Sequence, residues 1–332
     1  MMIALLLSIP LAQGAGLDRP ASFAEILDEC RGAKPTELYE LTRVVDGDTL
    51  WIKRNGELEK LRLLSVDTEE KLSAQGTSAS KPGTAFGERC TGWAQGFLCQ
   101  RGPTDPEPRV GLVFPSGEES RDVYGRLLCH VVTQEGVDFN LLLVRSGMSP
   151  YFNKYGHSKI RHRAFVAAQQ SARAEGLGVW DPDTNRGGLR RPYARLLPWW
   201  DARAQALAEF RAKSKDRPLD FVEADDAAAL AQALANGPRR ITAIGLVDRT
   251  FDEDDGSLTI LLRGGDKRRS LRVKIAAGEV RSLARIDLLG SRAEFRQNYL
   301  LFQGRLEQGQ RGFALVDVKT RQIERAGPEP SK

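Results

Sequence analysis

Asp48, Arg62, Asp67, Glu70 and Arg126 are of the types and spacing that hydrolysis of a phosphodiester requires. Asp48 and Asp67 end or flank adjacent predicted strands, so their carboxylates can converge on one hard cation, with a backbone carbonyl such as that of Thr68 as a further oxygen ligand. Glu70 follows closely and could orient and deprotonate an attacking water. Arg62 lies on the strand leading to Asp67, and Arg126 begins a later strand. Two guanidiniums on opposite sides of a phosphate can make bidentate contacts and stabilise a pentacoordinate transition state. Taken singly, Asp46 and Asp48 could simply form Asx turns at a hairpin, and each arginine could be a surface ion pair. Those roles leave the joint presence of Glu70 and both arginines unexplained.

The elements that must position these groups are legible in the hydrophobic pattern. Leu41, Val44, Val45, Leu50, Trp51 and Ile52 form a β-rich run broken by the turn Asp46-Gly47-Asp48. Asn55-Gly56 is a hairpin signal before a second strand over Leu58 to Val66. Lys71 to Thr84 is rich in small polar residues and predicts a mobile loop directly after the carboxylates. Helical spacing runs from Ala85 to Cys99 and predicts further helices around Asn140 to Ser146 and Ile160 to Ala174, with a strand over Tyr124 to Thr133 between. A Pro-rich insertion spans Arg101 to Gly117. Strands followed by packed helices suggest a small barrel with helical covers, a mixed α+β class.

The strings VVDGDTLWI, LRLLSVDTEE and DVYGRLL, in this order and spacing, resemble the signature blocks of the staphylococcal nuclease (thermonuclease) family. LVRSGMS and GLGVWDP resemble its later elements, so the likeness covers about residues 38–182. It implies an OB-like barrel that hydrolyses DNA and RNA with Ca2+. Carried over, the calcium ligands fall on Asp48, Asp67 and the Thr68 carbonyl, the catalytic glutamate on Glu70, the phosphate-binding arginines on Arg62 and Arg126, and a substrate tyrosine on Tyr124. Two positions depart from the pattern. Glu69 replaces the usual proline, which predicts a less rigid turn and another carboxylate crowding the site, and Val123 replaces a basic residue. Tyr151 and Tyr155, interleaved with Lys154 and Lys159, could stack on bases or could pack as a rim cluster.

Beyond residue 182 the chain turns to Asp, Asn, Gly, Arg and Pro, which suggests a boundary, then to helical patterns over Trp199 to Lys213 and Ala224 to Ala235 within a linker of residues 183–239. Five short strand patterns over residues 240–322, with a helix-like Glu279 to Leu289 among them, suggest a second OB-like barrel that assists substrate binding. Lys267-Arg268-Arg269 in a Gly-flanked hairpin could hold nucleic acid or be a solvated loop.

Composition sets looser bounds. With 332 residues the chain is long enough for two domains, and 49 lysines and arginines against 44 acids, a net charge of +5, admit anionic partners without demanding them. The apolar run Ile3 to Ala12 followed by small residues suggests a signal peptide over residues 1–16, hence a secreted or periplasmic protein, and is too short to cross a bilayer. Cys30, Cys90, Cys99 and Cys129 form no CxxC pair, and any disulfide should join different elements. His130, His157 and His162 show no ligand spacing. The alternative to an active nuclease is a nucleic-acid-binding protein of the same fold with weak or no turnover.

Overall fold

The computed structural model describes residues 21–75, 77–78, 80–99, 107–122, 124–263, 270–285, 299–310 and 312–325. The apolar run at 3–12, Val123 and the 267–269 basic cluster lie outside the described residues.

Strands β1 (Tyr39–Asp46), β2 (Thr49–Arg54) and β3 (Glu57–Leu63) form a meander. Asn55 and Gly56 join β2 to β3 with φ of 52° and 83°, the two positive values a two-residue hairpin of matching twist needs. The two-residue strands β4 (Glu70–Lys71) and β5 (Gly83–Thr84) pair in parallel and draw together the ends of the intervening loop. After helix α2 (Ala85–Leu98), strands β6 (Arg109–Val113) and β7 (Leu127–Thr133) complete a closed barrel of order β1-β2-β3-β7-β6, in which β3 and β7 run parallel. Period-two alternation turns Leu50, Ile52, Leu61, Leu63, Leu127, Cys129 and Val131 into its core. Full burial of each aliphatic side chain contributes roughly 1.5–3 kcal/mol. By the same alternation Arg62, between Leu61 and Leu63, points the other way.

Helix α1 (Phe23–Glu29) precedes the barrel, and α3 (Phe139–Arg145) and α4 (His162–Ala174) cover it. The expected strand from Tyr124 begins only at Leu127: Asp122 Oδ1 accepts from the backbone N–H groups of Tyr124 and Arg126, and this turn places Gly125 at φ 79°. Arg126 therefore lies just before the strand. All four cysteines are free; Cys30, Cys90 and Cys129 are buried, and burial pushes the Cys129 thiol up to about 12.

The helix expected from Trp199 starts earlier. Helix α5 (Tyr193–Asp216) runs through Pro198, since Leu196, Leu197, Trp199 and Trp200 bury against Phe152, Trp180 and Tyr193 and hold the first turns together despite the missing N–H. Its later residues Leu207 and Phe210 pack on Ile244, Tyr299 and Leu301, so one helix touches both the segment around Phe152 and Trp180 and the second sheet. Strand β8 (Phe221–Glu223) and helix α6 (Ala227–Leu234) follow. β8 pairs in parallel with β9 (Arg239–Asp252), joining a segment expected to be linker to the second sheet. The rest of that sheet is β10 (Leu258–Leu262), β11 (Leu271–Ile275), β12 (Tyr299–Gly309), β13 (Gly312–Val316) and the edge strand β14 (Ile323–Arg325). Helix α7 (Ala277–Val280) follows β11; the expected helix ran to residue 289, of which 286–289 lie outside the described residues. Within the sheet, the run β9-β10-β11-β13-β12 returns to β9, and β11 and β13 are its parallel pair. The first barrel has the same strand order and the same parallel relation between its third and fifth strands. No helix among the described residues is long and apolar enough to cross a membrane.

Two glycines fasten the first barrel to the carboxylates. A Cβ on Gly47 would stand 2.6 Å from Thr68 Cγ2 and 2.7 Å from Cys90 Sγ, and one on Gly87 would stand 2.0 Å from the Glu70 carbonyl oxygen. Helix propensity alone favours Gly87→Ala by about 1 kcal/mol. Because the obstacle is backbone, the substitution is expected instead to destabilise the protein by about 1–3 kcal/mol, visible as a lowered urea midpoint.

Candidate active site

Asp48 opens β2 and is buried. Its Oδ2 accepts from the Thr68 backbone N–H at 2.8 Å and the Thr68 hydroxyl at 3.1 Å, and its Oδ1 faces the Arg62 guanidinium and accepts from the Thr49 hydroxyl at 3.2 Å. Arg62 spans both aspartates, since its Nη2 donates to Asp67 Oδ1 at 2.8 Å. The Asp67 backbone N–H donates to Ser149 Oγ at 2.9 Å, which fixes the turn after β3. One turn further, Glu70 Oε1 lies 2.8 Å from the Lys81 ammonium, which also donates to Asp67 Oδ1 at 2.9 Å.

Arg126 stands apart from this knot. Its Nε donates to Asp122 Oδ2 at 2.7 Å and its guanidinium lies 5.5 Å from the centre of the Tyr124 ring. Tyr124 is 78% exposed at the rim. Asp48, Arg62, Asp67, Glu70, Tyr124 and Arg126 nevertheless line one cleft of about 880 Å³.

The electrostatics follow from burial and charge count. Burial alone would raise the Asp67 carboxyl; Arg191, Lys81 and Arg62 outweigh it and hold Asp67 well below the usual carboxylate range. Asp48 is lowered in the same way, with burial opposed by Arg62 and Lys81. At Asp46 burial and the neighbouring Asp48 charge outweigh the Asp48 backbone N–H and Lys81, and push the carboxyl up to about 7.

Residues 60–182 match the family model described as staphylococcal nuclease homologue. This stretch is a staphylococcal nuclease homologue domain. Asp48 lies ahead of the matched stretch, on strands that close the same barrel. The chain is 30% identical over 170 residues to endonuclease YhcR of Bacillus subtilis, an alignment covering 50% of this chain and 13% of that protein. It is 28% identical over 146 residues to the thermonuclease of Staphylococcus intermedius, covering 44% and 77% respectively. The SPbeta prophage-derived endonuclease YokF of B. subtilis is 28% identical over 156 residues, covering 46% and 48%. The chain thus spans well under two thirds of two of these three relatives.

Several expectations for the nuclease-homologue domain need correction. Tyr151 is 2% exposed, stacks on Phe165 at 5.1 Å and bonds His162 Nδ1 through its hydroxyl at 2.9 Å. It is a core residue and cannot stack on a base, whereas Tyr155 is 53% exposed and lines the cleft. Glu69 does not crowd Glu70, nor does it loosen the turn. Its side chain is buried and accepts from the Thr84 hydroxyl, from Asn185 Nδ2 at 2.8 Å and from the Tyr193 hydroxyl at 3.1 Å. Where a proline would stiffen the turn locally, Glu69 ties it to the segment that follows the domain. The loop expected to be mobile carries Lys81, which anchors its far end on Asp67 and Glu70.

Lys81 and Arg191 are the residues that the motifs did not reveal. Arg191 is buried; its Nη1 donates to the Asp67 carbonyl at 2.8 Å, its Nη2 to Asp67 Oδ2 and its Nε to the Ser80 carbonyl at 3.0 Å. Its guanidinium lies 5.5 Å from the Tyr193 ring centre and 5.4 Å from that of Trp200. The only sequence signal for it is an arginine shortly before aromatic residues in a segment of boundary composition. Lys81 has no signal beyond being a lysine among small residues.

The donor chemistry suits a hard cation, since Asp48 and Asp67 offer only oxygens and share one guanidinium. Among the described residues no group of three or more His, Cys, Asp or Glu is arranged to hold a metal ion; the Lys81 ammonium lies between Asp67 and Glu70.

Arg191→Met removes one cation from a buried carboxylate that keeps two others. We expect a stability loss of about 3 kcal/mol by urea denaturation, with Arg191→Lys recovering only part, because one ammonium cannot reach all three oxygens.

Proposed function

We propose that the chain is a calcium-dependent nuclease that hydrolyses phosphodiester bonds of DNA or RNA. The observation that carries this reading is the single open cleft lined at once by Asp48, Arg62, Asp67, Glu70 and Arg126, in a domain whose relatives include proteins named endonuclease and thermonuclease. Glu70 takes the proton of an attacking water as the new P–O bond forms and the bond to the leaving oxygen breaks. Arg62 and Arg126 hold the non-bridging oxygens from two sides, and the fixed guanidiniums need little reorganisation as charge develops. Asp122 orients Arg126 through its Nε, and the two aspartates orient Arg62. Asp48, Asp67 and the Thr68 carbonyl are the ligands expected for calcium, which would polarise a phosphoryl oxygen. Tyr124 and Tyr155 offer exposed ring faces along the same cleft to bases. The apolar run at 3–12 supports a secreted or periplasmic site of action.

One observation favours the alternative, a nucleic-acid-binding protein with weak turnover. The Lys81 ammonium holds both Asp67 and Glu70, and in that arrangement Glu70 is paired rather than free to accept a proton.

Two measurements address these readings. The full chain incubated with single-stranded DNA, duplex DNA and RNA is expected to cleave in calcium and not in chelator. Glu70→Gln should lower turnover by about 10²–10⁴-fold and Arg126→Met by about 10²–10³-fold, with modest loss of binding. Binding without cleavage by the unaltered chain would favour the alternative. Separately, Lys81→Met is expected to tighten calcium binding in isothermal titration calorimetry by about tenfold, because a competing like charge leaves the carboxylates. Unchanged or weaker calcium binding would mean that Lys81 does not oppose the ion.

A further inference from the structure

The cleft does not end at the carboxylates. Away from Asp48 its wall continues through Tyr155, Lys154 and Trp199 to Arg263, at the end of β10 in the second sheet. Lys154 pairs with no carboxylate among the described residues. Its ammonium lies 5.0 Å from the centre of the Trp199 ring and 5.6 Å from that of Tyr155. Among the described residues Arg263 reaches a carboxylate only at 4.0 Å, on Asp248, and its side chain is well exposed.

Behind these two stands Arg203 of α5. It is 2% exposed, and among the described residues none of its three guanidinium nitrogens has a hydrogen-bond partner. Its guanidinium carbon sits 4.3 Å from the ring centre of Tyr299 on β12, 4.9 Å from that of Trp199 and 5.9 Å from that of Tyr155. Aromatic faces offset part of the desolvation of such a cation but supply no net charge. The Tyr155 hydroxyl registers the balance: Lys154, with Arg203 and Arg263, holds it below the usual phenol range against burial and the Asp67 charge. Asp225 is an acid on the same wall, with Arg211 beside it already paired in two bonds with Glu223 at 2.7 and 2.9 Å. Three positive groups from the nuclease-homologue domain, the connecting helix and the second sheet therefore gather round one exposed aromatic ring, an arrangement whose charge suits an anion.

We propose that Lys154 and Arg263, backed by the field of Arg203, form a second phosphate subsite beside Tyr155, where the second sheet grips a single strand that passes through the catalytic carboxylates. Tyr155 offers a face on which a base can stack while Lys154 and Arg263 take the adjoining phosphate. The ligand class is a phosphodiester strand long enough to lie along Tyr155 and Arg263 as well as on Arg62 and Arg126. This inference rests on the nucleic-acid reading above, and it gives the second sheet a part in substrate choice.

The test uses the full chain carrying Glu70→Gln, so that substrate persists, with fluorescein-labelled single-stranded DNA as a dinucleotide and as a strand of about ten nucleotides. Anisotropy is expected to show the longer strand binding more tightly. Adding Arg263→Met and Lys154→Met should weaken the longer strand by about tenfold or more and lower the slope of log affinity against log salt by roughly 1.4, at about 0.7 per phosphate contact. The dinucleotide should change by less than about twofold, within the ordinary context-dependence of a remote charge. Should Lys154→Met disturb the fold, as judged by the thermal midpoint, Arg263→Glu alone replaces it, since that side chain is exposed; it should weaken the longer strand and leave the midpoint in place. An unchanged affinity and salt slope for the longer strand would overturn the subsite, and so would an equal loss for the dinucleotide. Failure of the nuclease reading is separable: a chain with Glu70 intact that cleaves nothing, while its long-strand affinity still depends on Arg263, leaves the subsite standing.

Discussion

Asp67 is the group on which the arrangement of this protein turns. A carboxylate taken out of water is costly unless its charge is matched at close range, and here Arg62, Lys81 and Arg191 match it from three separate parts of the chain. Arg62 comes from a barrel strand, Lys81 from the loop after the carboxylates and Arg191 from beyond the nuclease-homologue domain. Satisfying one buried charge thus fixes a strand, closes a loop and docks the start of α5. Removing any partner leaves the remaining charges buried and underpaired, so the three segments are energetically coupled through one carboxyl group.

A parallel tie runs through Glu69. Its acceptors are filled by Thr84, Asn185 and Tyr193, so Asp67 and Glu70 face the cleft while Glu69 between them turns into the seam with the following segment. The nuclease-homologue domain and α5 therefore share a buried polar core as well as the aromatic cluster of Trp199, Trp200 and Trp180. From that seam α5 carries the chain to the second sheet, burying Leu207 and Phe210 against it. A helix packed at one end on Phe152 and Trp180 and at the other on the second sheet joins the two walls of the cleft, and this explains how a residue as distant in sequence as Arg263 comes to line the same cleft as Asp48.

The motifs in the sequence placed the nuclease-homologue barrel, the Asn55-Gly56 hairpin, helix α2 and the shared cleft position of Asp48, Arg62, Asp67, Glu70 and Arg126. They could do so because those features are local: turn chemistry, side-chain alternation and short strings of fixed spacing. Tyr151 illustrates the limit. Its spacing beside Tyr155 suits a stacking role as well as a packing one, and only the three-dimensional position of Phe165 and His162 sends it into the core. Pro198 illustrates another, since local propensity stops a helix there while the burial of four flanking side chains carries α5 through it.

By itself, then, the sequence determined the set Asp48, Arg62, Asp67, Glu70 and Arg126 that lines one cleft, and the strands beside which they lie, because both follow from side-chain type and short-range periodicity. The tertiary structure alone decided what neutralises those residues: that Lys81 stands between Asp67 and Glu70, that Arg191 closes over Asp67, and that Glu69 turns inward to meet Tyr193. Each pairing joins groups 11 to 124 positions apart, and the Coulomb interaction between them depends on distance in space and on exclusion of water, neither of which a linear spacing encodes.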